Sequence, residues 1–433
     1  MKQLVVHIGI FAVVAGMLWR LKVARLPSRW QRWIDAAEVA TLAVLVGMVA
    51  VAAYRNVTAP EAWDFPVFYT VARNAVDGVS FYDPAELLPT FTFIQEQAAV
   101  PADWLQEFGF WYAPPTALIL APLGVSDFTT GLVIQYVVQG AFFAAAILLL
   151  HRFYPLRTGL MGLVEMTLLG MLFRPVLSAF QLAQIVFGAL FFLVVGLWAA
   201  RDHPWLAGIS LGIGALFKHL LLIPAGLVLA MRKWRITLGA LGAVAVTAVL
   251  AGIAFGFDVY TEFTTFGPGD RPPELALDSV IESLNGTLRR AFDSVPPGPG
   301  AIDAVLYPPY LVIAAVLTIV TVVVAWRARR GPLSTELTFS LIIVLSLIVY
   351  PNTLYNTLPL LIPALVVLLF AIDELPFSRP VTVAVVAIQY GIVASFAIPA
   401  FLALAVTWAY LAVCVTMMTR RAVPAAAEAE PAM

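Results

Sequence analysis

The chain has a single cysteine in 433 residues, Cys414, and it lies inside an apolar run. That excludes a disulfide framework and a thiolate metal site. Four histidines, His7, His151, His203 and His219, are scattered along the sequence, so no metal cluster can be read from them. Charge is scarce as well: 12% of residues are Asp, Glu, Lys or Arg, against roughly a quarter in a soluble domain. The formal charge of -1 leaves no basic face for a nucleic-acid partner. No internal repeat is visible. What the chain has in excess is apolar surface, with 61% hydrophobic residues and a mean hydropathy of +0.92. Such a chain cannot remain solvated as a disordered polymer, and the fold class it predicts is an all-α integral membrane protein.

Apolar runs predict thirteen crossings, some short, at about 3–19, 36–54, 131–150, 159–173, 184–200, 205–217, 220–231, 236–256, 308–326, 335–350, 357–372, 380–397 and 400–418. The first has only Lys2 before it and Arg20, Lys22 and Arg25 after it, so it reads as a retained anchor with its N-terminus outside. With this count, 17 of the 25 Lys and Arg fall on the cytoplasmic side. Treating Trp205–Met231 as one tilted helix would invert every later loop and spoil that split, so two short spans broken near Lys218 are expected. The predicted organisation is an anchor and second helix (1–54), a first outer loop (55–130), a bundle (131–256), a second outer loop (257–307), a C-terminal bundle (308–418) and a disordered cytoplasmic tail (419–433). The two outer loops hold 17 of the 26 acidic residues, more than a solute channel needs. They lack an Asp-x-Asp pair, so no divalent metal is implied.

Within the first loop, Phe68, Val71, Ala72, Ala75 and Val76 recur at helical spacing. A second helix should begin at Asp83, with Pro84 at its first position and Glu86 at its third. Asp64, in Ala62-Trp63-Asp64-Phe65-Pro66, has aromatic neighbours that favour the head-group level. A carboxylate in apolar surroundings can serve as a base toward a hydroxyl, or it can cap the helix that follows. Lys218 and His219 lie between two apolar half-spans, where a cation either faces an anion or snorkels to the surface. Arg289 and Arg290 offer two guanidinium forks that suit phosphate oxygens, or ordinary pairing with Glu282 or Asp293. Glu165, inside the fourth run, needs a partner or a proton.

These residues fall in a familiar order. Asp64 with Phe68-Tyr69, then Asp77-Gly78-Val79-Ser80-Phe81-Tyr82-Asp83-Pro84, Trp111-Tyr112-Ala113-Pro114-Pro115 and Ala121-Pro122-Leu123, resembles the opening of glycosyltransferase family 87. These are C-type, multi-span enzymes that include polyprenyl-phosphate-mannose-dependent mannosyltransferases. The resemblance continues through Gln184, Ala207-Gly208, Lys218, Pro224 and Ser283-Leu284-Asn285-Gly286-Thr287-Leu288-Arg289, over about residues 60–370. Two positions depart from the family pattern. Ala183 stands where a glycine usually precedes the glutamine, and Tyr350-Pro351-Asn352-Thr353-Leu354-Tyr355-Asn356 has no histidine where the late motif usually carries them.

The resemblance implies an inverting, metal-independent sugar transfer outside the cytoplasm, with no cofactor beyond the donor substrate itself. Asp64 is the expected base. A lipid phosphate is expected near Lys218, His219, Arg289 and Arg290, with Tyr69, Tyr82, Gln184, Asn352, Tyr355 and Asn356 contacting substrate. The implied partners are a polyprenyl-phosphate sugar, a glycolipid or glycan acceptor, and membrane lipids. The competing reading is a transporter or flippase using Glu165 and Lys218 as an intramembrane charged pair. An inactive scaffold that binds a partner enzyme is a third.

Overall fold

The computed structural model describes residues 2–23, 27–58, 64–96, 110–266, 281–295, 307–328, 333–393 and 400–427. The described regular structure is helical, with one isolated antiparallel bridge between Ile281 and Leu354. Helices α1 (Lys2–Lys22) and α2 (Ser28–Thr58) lead into the first loop, which carries α3 (Phe65–Asp77), α4 (Pro84–Gln95) and α5 (Pro115–Gly124). A first bundle follows: α6 (Phe128–Phe153), α7 (Gly159–Leu172), α8 (Arg174–Gln181), α9 (Val186–Ala199), α10 (Pro204–Phe217), α11 (Leu222–Leu227) and α12 (Trp234–Phe255). The second loop holds α13 (Val259–Phe266) and α14 (Leu284–Ala291). The last bundle comprises α15 (Pro308–Arg327), α16 (Ser334–Val349), α17 (Ile362–Phe370), α18 (Arg379–Val393) and α19 (Ala400–Ala427).

Helical structure forms over each apolar run, but thirteen full crossings do not result. Among the described residues, five helices are long and apolar enough to span a membrane, six if α7 and α8, bent by 69° at their junction, form one broken span. The other apolar helices run 10–17 residues. A 14-residue helix such as α10 is about 21 Å long, short of the roughly 30 Å of hydrocarbon. Helix α19 is described to Ala427. Residues 428–433 and the Pro-Gly segments at 267–273 and 296–300 lie outside the described residues.

Both first-loop helices form where the sequence places them. Asp83 caps α4 by accepting from Ala85 N at 2.9 Å. In α3, Phe68, Val71 and Ala72 are buried. Gly124 makes this possible, because a Cβ there would lie 2.3 Å from the Ala72 carbonyl oxygen. The apolar face of α3 is therefore core against α5, not a surface for lipid. The helix pair α10 and α12 packs just as closely. A Cβ on Gly208 would sit 2.1 Å from Ile236 O, and one on Gly212 2.6 Å from Ala240 O. Small residues four apart let membrane helices touch along their backbones.

Candidate active site

Asp64 occupies the N-cap position of α3 but makes no side-chain cap, and its backbone is helical (φ -90°, ψ -25°) rather than extended. With Pro66 in the first turn, one of the N–H groups a cap would serve is already missing. The carboxylate turns instead to Gln184, whose Nε2 donates to Oδ2. Burial pushes the Asp64 carboxyl above its ordinary value, while the Gln184 hydrogen bond and the charge of Lys218 pull it down. Asp64 still keeps part of its surface open.

Gln184 reaches this position through a backbone reversal. Helix α8 ends at Gln181, and Ala183 takes a left-handed conformation with φ 49°, after which Gln184 N bonds Ala179 O at 2.9 Å. Glycine favours such a turn because it has no Cβ. The glycine usual here in the family thus has a conformational reason, and this chain makes the turn with alanine.

Lys218 marks the break between α10 and the single 3-10 turn His219–Leu221, with an extended backbone (φ -150°, ψ 111°). Its side chain is buried, and Nζ donates to Tyr112 Oη at 2.8 Å. The neighbouring His219 Nε2 accepts from Ala113 N at 3.1 Å. That nitrogen therefore carries no proton, and a neutral ring must hold its proton on Nδ1, free to donate elsewhere. Thr116 completes the joint by donating from Oγ1 to Leu216 O at 2.7 Å. The Trp111–Pro115 motif is therefore the clamp that seats the first loop on the broken helix.

A cavity of about 380 Å³ opens at this joint, lined by Trp111, Tyr112, Lys218, His219 and Phe263, with Asn352 and Thr357 across from them. Not every residue expected to contact substrate lines it. Tyr82 supports it from behind, donating to Tyr112 O at 2.6 Å. Tyr69 donates to Ser126 O at 2.7 Å and packs on Phe128. Tyr355 and Asn356 are buried in the 3-10 segment Tyr355–Leu361. Arg289 is buried, bonded to Asn285 Oδ1 and Ser294 O, and stacked over Tyr307 at 4.6 Å. Arg290 donates to Ile281 O at 2.8 Å. These bonds of the arginine pair stay within the second loop, and among the described residues that line the cavity the lysine or arginine is Lys218. Trp111 and Tyr112 were read from sequence only as part of the motif that ends in Pro114-Pro115, without a site role, and Phe263 was not read from sequence at all.

Glu165 is far from unpartnered. It accepts from Arg20 at 2.9 Å and Arg157 at 3.0 Å, in a cluster that adds Asp35 and Glu38. The three carboxylates approach within 4.8 Å of one another, as metal ligands would. Two guanidinium groups already fill that space, and a cation would be repelled by them. The charged pair that a transporter reading required, Glu165 with Lys218, is therefore not formed.

No curated protein and no solved structure matches the chain. The family model of glycosyltransferase family 87 matches residues 110–351, a stretch that includes Tyr112, Gln184, Lys218, His219 and Arg289. Asp64 lies before it, and joins the matched segment through its bond to Gln184. Since the match spans more than half of the 433 residues, the chain belongs to glycosyltransferase family 87 and is a membrane glycosyltransferase.

Proposed function

We propose that the protein transfers a sugar, mannose in the first instance, from a polyprenyl-phosphate donor to a lipid-linked or cell-envelope glycan acceptor on the extracytoplasmic face. The observation that carries this reading is the uncapped Asp64 carboxylate held by Gln184 in the field of one buried ammonium, Lys218. A polyprenyl-phosphate sugar is a phosphodiester with a single negative charge, and one cation matches it.

In the proposed displacement, the acceptor hydroxyl gives its proton to Asp64 as its oxygen attacks the anomeric carbon. The bond from that carbon to the phosphate oxygen breaks, and its electron pair leaves with polyprenyl phosphate. A single displacement inverts the anomeric centre. Phosphate is a good leaving group, so no general acid is required, and the charge it gains is met by Lys218 and the Nδ1–H of His219. Support for the outer side comes from how loop ends sort. Arg20 and Arg157, both counted as cytoplasmic, meet at Glu165, and Arg379, counted with them, donates to Lys22 O. Ser80 and Glu262, from the two outer loops, meet at 2.6 Å.

The test is turnover by purified protein in nanodiscs with polyprenyl-phosphate mannose and a membrane-lipid extract, chelator included. Release of polyprenyl phosphate by wild type, lost by roughly 10²–10⁴-fold in Asp64→Asn, is expected. Equal turnover by the two proteins would overturn the assignment of the base. Inertness of wild type toward mannose, glucose and arabinose donors would overturn the donor class.

A further inference from the structure

Resting on the transfer reading above, we infer that Gln135, in the N-terminal third of α6 and away from the cavity, is a positioning residue that aims Gln184 at Asp64 by holding the left-handed turn at Ala183. Gln135 is 3% exposed, and its Nε2 donates to Ala183 O at 2.9 Å. That carbonyl belongs to the one residue between α8 and α9 with a positive φ, and Ala183 itself is buried. A buried carbonyl needs a donor, and an alanine resists the left-handed region. Removing the Gln135 amide leaves both demands unmet together. The chain satisfies both by leaving the turn, and Gln184, the next residue, is then carried away from the carboxylate.

Gln139, one turn further along α6, offers a comparison. It is equally buried, but its Oε1 accepts from Gly188 N at 3.3 Å, beyond the turn. Gln139 fastens the start of α9 to α6, and of the two glutamines Gln135 is the one that touches the turn that sets Gln184. Gln184 also has a buried Oε1 with no partner among the described residues. The amide is therefore fixed by its nitrogen alone, so its aim depends on the backbone beneath it.

The experiment compares wild type, Gln135→Met, Gln139→Met and the double variant Gln135→Met/Ala183→Gly, with polyprenyl-phosphate mannose and membrane-lipid extract in nanodiscs. Gln135→Met should lower kcat by about tenfold to a hundredfold while the donor KM stays near wild type. Its acid limb should move to higher pH, because Asp64 loses a hydrogen bond that favours its anion. Gln139→Met should leave the acid limb in place. Glycine at 183 tolerates the turn without help and should restore part of kcat. If Gln135→Met fails to reach the membrane, Gln135→Leu removes the donor with a smaller apolar side chain and is read in the same assay. A wild-type acid limb and kcat in the Gln135 variant, or a double variant no better than the single, would overturn the inference. Inert wild type would instead overturn the parent reading.

Discussion

Asp64 stands where a carboxylate ordinarily accepts the free N–H groups of a helix start, and its side chain goes elsewhere. Its raised proton affinity has two consequences of opposite sign. The rate should fall as pH drops through the raised value, so the acid limb of kcat/KM lies above the roughly 4 of a free aspartate; initial rates between pH 4.5 and 8 measure it. The folded state binds the proton more tightly than the unfolded chain, so keeping the carboxylate ionised at neutral pH costs stability. Asp64→Asn should therefore raise the thermal midpoint in detergent while removing turnover. Lys218→Met should cost about 10²–10³-fold in kcat, read in the same assay. Asp64 was legible from its aromatic neighbours, but Gln184 emerged only from the order of motifs, because nothing in its own surroundings marks it. Arg289 and Arg290 show the reverse limit. Their charge was plain in the sequence, and their direction, toward their own loop's carbonyls, was not.

The turn at Ala183 and the break at Lys218 position Gln184 and Lys218, and they were unequally visible. The break could be anticipated because a lysine between two apolar halves, with Pro224 downstream, spoils a continuous span. The left-handed turn could not, since alanine carries no such preference. Ala183→Gly should stabilise the protein by about 0.5–1 kcal/mol, the relief at positive φ outweighing the added freedom of the unfolded chain. Thermal unfolding in detergent is the check, and a lowered midpoint would contradict the strain argument. Lys218 is also set by the backbone contact of α10 with α12. Gly208→Val should push these helices apart at a cost of about 1–3 kcal/mol, with the donor KM raised because the Lys218 end of α10 moves.

Across the molecule, hydropathy was enough to give a helical membrane protein. The number of crossings was not legible, because a 14-residue apolar run reads alike whether it spans, bends or re-enters. The partly buried network of Arg20, Asp35, Glu38, Arg157 and Glu165 could not be assembled from sequence either, since its members are up to 145 residues apart. Arg20→Leu would leave Glu38 and Glu165 short of positive charge at a cost of about 3–5 kcal/mol, visible as a lowered midpoint. Distance along the chain also sets a timetable for the bonded pair Asp64 and Gln184. Asp64 and Gln184 are separated by 120 residues. At about 5–20 residues per second of synthesis, the carboxylate emerges about 6–24 seconds before its partner amide. On the proposed reading, a chain stalled in that interval has the candidate base but neither Gln184 nor Lys218, so turnover of a membrane-borne donor must wait until the broken helix has been made.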